Sequence, residues 1–177
     1  PLEGMFPDAD PAVVDANVEW LKPHFLNDDG TLSLSIHALV VESQGKVIVV
    51  DTCVGSRPVP GFDNMSNLQL TFLDDLAAAG FPVEHIDYVL CTHLHFDHVG
   101  WNTRLENGKW VPTFPNARYV FTRRDYDYFK TNPPGEPLSW EAFCDSIVPV
   151  MEAGQGELVE ADFVAHREIG DGIWLEP

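Results

Sequence analysis

The sequence predicts a layered α/β domain, and three observations carry that prediction. Short apolar runs, KVIVVDT (46–52), DYVLCT (87–92) and ARYVFT (117–122), read as strands buried on both faces. Helical periodicity separates them: Leu70, Leu73, Leu76 and Ala77 form one stripe within 67–79, and Tyr126 and Phe129 mark a helix after Thr122. No repeat, low-complexity tract or linker interrupts this alternation of strand and helix.

The elements follow in order. Asp10-Pro11 is an N-cap followed by proline at the first helical position, with Val14, Val18 and Leu21 on one face and Pro23 ending the helix. TLSLSIHALVVE (31–42) alternates at Leu32, Leu34 and Ile36 and then turns apolar on both faces, a strand entering a core. SQG (43–45) turns the chain into 46–52. Gly55, Pro58, Pro60 and Gly61 make 53–66 an irregular loop. Helix 67–79 stops at Gly80. ENGKW (106–110) carries an Asn-Gly hairpin signal. Thr122 and Ser139 each cap a helix, and GDG (170–172) turns a final hairpin into IWLEP. Residues 1–177 are read as a single domain, long enough to bury a core.

Composition narrows the function classes. With 28 acidic and 10 basic residues, the net charge of −18 repels phosphate backbones and anionic lipid, which disfavours nucleic-acid and membrane-surface roles. No run approaches the roughly 18 apolar residues of a membrane helix. Cys53, Cys91 and Cys144 are odd in number and form no C-x-x-C pair, which fits a reducing compartment and a cytoplasmic home. An initiating Met is absent, so removal of an export signal stays open. Cys91, at the end of an apolar strand, reads as buried filler.

The segment CTHLHFDHVGWN (91–102) concentrates three of the seven histidines: His93, His95, Asp97 and His98 spell H-x-H-x-D-H. From this composition such a pattern arises by chance on the order of once per thousand sequences. On an extended segment His93, His95 and Asp97 point the same way, with His98 pointing elsewhere. Imidazole and carboxylate donors suit a borderline ion such as Zn²⁺. Ligand directions this close suggest two ions, one taking His93 and His95, the other Asp97 and His98. Gly100 is expected to let the backbone turn away past the ligands.

THLHFDHVG resembles the signature of the metallo-β-lactamase superfamily, and VIVVDT resembles the strand preceding it in that fold. The resemblance covers roughly residues 31–122. HLHFDH followed by GWN is most similar to the branch holding N-acyl-homoserine lactone lactonases and methyl-parathion-hydrolase-like enzymes. It implies an αβ/βα sandwich with two metals, and a supporting role for Asp51 near the ligands. It also implies a further histidine from a P-G-H-x-x-G-H segment, a bridging aspartate and a last histidine, none of which is present. The chain is therefore expected to be a piece trimmed at both ends, binding zinc weakly and turning over nothing by itself. Among other histidines, His166 is the first substitute ligand to weigh; His37, His24 and His85 read as structural or surface groups.

The implied reaction uses hydroxide held by a dinuclear site to attack a carbonyl or phosphoryl centre, with Asp97 holding that hydroxide and taking its proton. No G-x-S-x-G elbow, G-x-G-x-x-G or phosphate-binding loop competes with this reading. Phe62, Met65, Phe96 and Trp101 are candidates for an apolar wall that, with the acidic surface, suits a small neutral lactone or ester. Rival readings are an organophosphate or β-lactam hydrolase on the same site, a tRNA-processing nuclease disfavoured by charge, a flavodiiron-type reductase disfavoured by His95, and a metal-binding module without turnover. An oligomer is left open.

Overall fold

The computed structural model describes residues 8, 10–131, 137–160, 167–170 and 173–175, with 137–139 and the last two stretches as backbone only. The chain forms two compact units, Pro1–Ser35 and Ile36–Pro177. In the first, α1 (Pro11–Ala16) starts where Asp10 accepts a hydrogen bond from the Ala12 N–H at 2.9 Å, as the Asp-Pro pair predicts. Asn17 separates it from α2 (Val18–Leu21). Leu32 forms only an isolated bridge to Leu26.

The second unit is built on a five-stranded sheet. β1 (Leu39–Ser43) and β2 (Lys46–Val50) form an antiparallel hairpin; β3 (Tyr88–Leu90) joins β2 in parallel. The chain then forms α3 (Phe72–Ala78) between β2 and β3, and α4 (Phe96–Val99) after β3. A separate hairpin follows, β4 (Thr103–Glu106) with β5 (Lys109–Pro112), turning at Asn107 (φ 52°) and Gly108 (φ 78°). Both turn residues take the left-handed conformation, which is why Asn-Gly is the signal. β6 (Arg118–Thr122) returns parallel to β3, and after α5 (Arg123–Thr131), α6 (Pro137–Ala142), a π-helical turn (Phe143–Ile147) and α7 (Val148–Glu152), β7 (Gly156–Val159) pairs parallel to β6. The sheet order is β1-β2-β3-β6-β7. β8 (Arg167–Gly170) and β9 (Ile173–Leu175) pair antiparallel, and residues 171–172 of the expected GDG turn lie outside the described residues.

The apolar runs end up where their composition requires. Val49, Val89, Tyr119 and Phe121 are fully buried and pack with Leu76, Phe143, Ile147 and Val150. Thr122 caps α5, accepting from the Asp125 N–H at 3.1 Å. The Tyr119 hydroxyl donates to the Asn102 carbonyl at 3.0 Å and accepts from the Phe114 N–H at 2.9 Å, and burial pushes its pKa up. Tyr119→Phe strands the Phe114 N–H in the core and removes one of the two donors to Asn102 O, which keeps the Thr113 N–H. It is expected to cost about 1–3 kcal/mol, read as a lower urea midpoint at unchanged slope.

Three expectations need correction. Residues 31–38 do not extend β1, and Leu34 and Ile36 are exposed. Their alternation specifies faces but supplies no partner: pairing with β2 begins only at Leu39 opposite Val50. The helix predicted over 67–79 starts at Phe72, because Asn67 turns left-handed (φ 53°) and gives its N–H to Arg57 O at 2.7 Å; Leu70 and Ala77 are exposed. Ser139 lies inside α6 instead of capping it. Among the described residues no helix is long and apolar enough to cross a membrane.

Candidate metal centre

Parallel pairing aligns the ends of β2, β3 and β6: Val50 is opposite Leu90, and Leu90 opposite Val120. The residues just beyond these strand ends are therefore gathered at the carboxyl edge of the sheet, where open α/β sheets bind ligands. Asp51 follows β2, and Cys91, Thr92 and the histidine cluster follow β3.

The two segments are joined through their backbones. The Thr52 N–H donates to His98 O (2.7 Å), the Gly100 N–H to Cys53 O (2.7 Å) and the Trp101 N–H to Thr52 O (2.9 Å). Asp51 (φ 59°) and Cys53 (φ 53°) adopt left-handed conformations to make this crossing, a strain typical of functional loops. A Cβ on Gly100 would overlap the carbonyl of Val54, and one on Gly55 would lie 2.6 Å from Gly100 O. Gly100 has ordinary helical angles, so its role is to let the 53–55 segment touch it and not to turn the backbone away. Arg57, almost wholly buried, donates from Nη2 to Gly100 O at 2.6 Å and stacks on Trp110 at 4.5 Å. Burial lowers its pKa to about 10.

Asp51 organises the side chains. Its Oδ1 accepts from the Thr92 N–H at 2.8 Å; its Oδ2 lies 2.8 Å from both Thr92 Oγ1 and His98 Nδ1. The His93 ring sits 3.9 Å from the His98 ring and 4.7 Å from the His95 ring. Burial first, then the neighbouring His98 and His95 rings, lowers the pKa of His93; a neutral ring is the form that binds metal. His98 Nε2 lies 3.5 Å from Asp97 Oδ2.

The extended geometry expected for 93–98 is not kept: the chain bends at Thr92, His93 and His95, and His95, itself extended (φ −71°, ψ 154°), leads directly into α4. Asp97 and His98 lie on the helical turn. His98 therefore does not point elsewhere; its ring is the one nearest His93. The turn is closed by the His98 N–H donating to His95 O at 3.0 Å, and its far end is held by the crossing to Thr52 and Cys53.

The donors match a divalent ion in kind, as imidazoles and a carboxylate at one edge. They come as pairs: among the described residues no group of three or more His, Cys, Asp or Glu side chains is arranged to hold a metal ion. His37 precedes β1, whose first residue faces Val50, so the strand order puts it on the same edge one strand out. His85 lies before β3, at the opposite edge, His24 belongs to the other unit, and His166 lies outside the described residues. The cysteines are free. Burial pushes the thiols of Cys53 and Cys91 to about 11 and about 12, which removes them as thiolate nucleophiles. Cys91 is buried filler, as expected, beside Asn102.

The apolar wall divides. Phe62 and Phe96 lie with ring centres 5.6 Å apart, and Phe96 is next to Asp97 in sequence. Trp101 instead stacks on Phe72 at 6.0 Å and lines a separate cavity of about 350 Å³ with Ser56, Leu73, Thr103, Arg104, Leu105 and Trp110. Sequence reasoning missed Thr92 and Arg57. Thr92 stands inside the motif between Cys91 and His93; a lone arginine in a loop gives no comparable signal.

The Metallo-beta-lactamase superfamily model matches residues 33–173. This chain belongs to that superfamily. An N-acyl homoserine lactonase, AttM, from Agrobacterium fabrum (strain C58 / ATCC 33970) is 34% identical over 56 residues, which are 32% of this chain and 18% of AttM. AttM from Rhizobium johnstonii matches to the same extent. Among solved structures, a probable metal-dependent hydrolase from Staphylococcus aureus superposes with a TM-score of 0.66 at 22% identity, covering 89% of this chain and 54% of its own. AidC, a dizinc quorum-quenching lactonase in complex with a product, superposes with a TM-score of 0.57 at 20% identity, covering 90% and 52%. The chain thus spans about half the length of these superfamily structures, and they share the metallo-β-lactamase fold with it.

Proposed function

We propose that this superfamily chain carries the metal-binding loop of a hydrolase that opens a lactone or cleaves an ester. The observation that carries the reading is the junction of Asp51, Thr92, His93 and His98 at the ends of two parallel strands, with Asp97 beside His98. His93 and His95 would hold one ion, and Asp97 and His98 a second, with zinc the metal that suits these donors. A bound divalent ion supplies Lewis acidity and lowers the pKa of water toward neutrality.

The chain's own residues do the rest. Asp51 orients His98 through Nδ1, and Asp97 Oδ2 is the acceptor for the proton of the attacking water. Phe62 and Phe96 offer an apolar surface for a neutral acyl group. The net charge of −18 opposes polyanions. The AttM similarity favours an N-acyl homoserine lactone over organophosphates and β-lactams.

The test is a panel of lactones, aryl esters, organophosphates, β-lactams and phosphodiesters, assayed on the full-length protein before and after chelation. Lactone or ester hydrolysis that disappears with chelator and returns with zinc is the expected result. Activity confined to phosphodiesters discards the substrate class. Metal binding with no turnover on the whole panel leaves a metal-binding module.

A further inference from the structure

We propose that Thr92 is a positioning residue that sets the tautomer of His93, so that His93 and His98 both present Nε2 as the lone-pair nitrogen. The inference is a count of protons. The Thr92 hydroxyl has a single hydrogen, and its oxygen lies 2.8 Å and 3.1 Å from the two carboxylate oxygens of Asp51. A carboxylate only accepts, so the hydroxyl hydrogen goes to Asp51. The same rule requires His98 Nδ1, 2.8 Å from Asp51 Oδ2, to carry a hydrogen.

With its hydrogen committed, the Thr92 oxygen can only accept; of the two imidazole nitrogens in range, His98 Nδ1 at 3.5 Å already donates to Asp51 at 2.8 Å, which leaves His93 Nδ1 at 3.2 Å as the donor to Thr92. Nδ1 of His93 therefore carries the ring hydrogen, and Nε2 does not. One carboxylate thus orients two imidazoles, His98 directly and His93 through the Thr92 hydroxyl. The Thr92 N–H, held by Asp51 Oδ1 at 2.8 Å, fixes the relay in place. Partners of this kind, bonded to the far nitrogen of a ligating imidazole, orient it and raise its basicity. The chain also shows why the residue is threonine or serine in type: it needs one donor and one acceptor on a single atom.

The inference builds on His93 and His98 as metal ligands, but its first measurement is made without metal and stands or falls apart from that reading. Long-range ¹H–¹⁵N spectra of the metal-free full-length protein, at about pH 8.5 where imidazole is neutral, report which ring nitrogen is protonated. Native protein and Thr92→Ser are expected to show His93 and His98 both protonated at Nδ1. Thr92→Val removes the acceptor, and His93 is expected to populate the Nε2–H form while His98, still held by Asp51, does not change. Zinc affinity is then expected to fall about tenfold or more in Thr92→Val and to recover in Thr92→Ser. Protonation of His93 at Nε2 in the native protein overturns the proposal, and so does an unchanged His93 tautomer in Thr92→Val. Should Thr92→Val not fold, Thr92→Ala, which also lacks the acceptor oxygen, is read in its place against the same two outcomes.

Discussion

Asp97→Asn in the full-length protein is expected to lower kcat on the proposed lactone or ester substrate by about 10²-fold or more, with a much smaller change in KM. The two side chains have nearly the same shape, and Asp97 is about one-third exposed beside His98, so the fold tolerates the exchange. What is lost is the negative charge of a carboxylate whose Oδ2 lies 3.5 Å from His98 Nε2. The amide no longer takes a proton from water, a loss felt in the transition state more than in substrate binding. Steady-state kinetics together with zinc content per chain check this. A variant with kcat within about threefold of native removes Asp97 from the proposed chemistry.

Gly100→Ala is the second large effect, and it falls on stability. The new methyl group meets the Val54 carbonyl, a backbone group that no rotamer change can move aside. Either the crossing between 51–55 and 98–101 opens, losing the Thr52–His98, Gly100–Cys53 and Trp101–Thr52 backbone bonds, or the loop shifts and Arg57 loses Gly100 O. The expected cost is about 3 kcal/mol or more, measured by chemical denaturation. Gly45→Ala is the comparison: its methyl group meets nothing within 4 Å, and only the left-handed backbone is strained, at about 1 kcal/mol. Equal costs for the two variants would show that the crossing does not depend on close contact.

The sequence was most legible where local chemistry and burial agree. The runs at 46–52, 87–92 and 117–122 became β2, β3 and β6, since a strand covered on both faces needs apolar side chains throughout. Asn107-Gly108, Asp10 and Thr122 were readable because turns and caps are decided by their own residues. Residues 31–38 and 67–71 were not. The first lacks a strand to pair with until Leu39 meets Val50, and the second is held out of α3 by the hydrogen bond from Asn67 to Arg57.

The candidate site shows the same division. By itself the sequence named the candidate donors, His93, His95, Asp97 and His98, because a metal selects residue types and these are crowded into six positions. It also resembled the family to which the chain belongs. Only the tertiary structure decided how those donors are presented. Parallel pairing of β2 with β3 brings Asp51 against His98 across 47 positions of sequence. The helical turn at 96–99, held at its end by the backbone crossing at Gly100, places the His98 ring beside His93. Thr92 acquires its place because its N–H and hydroxyl meet a carboxylate from another strand. Spacing along the chain carries side-chain direction only while the backbone stays regular, and here contacts from a distant segment fix the backbone.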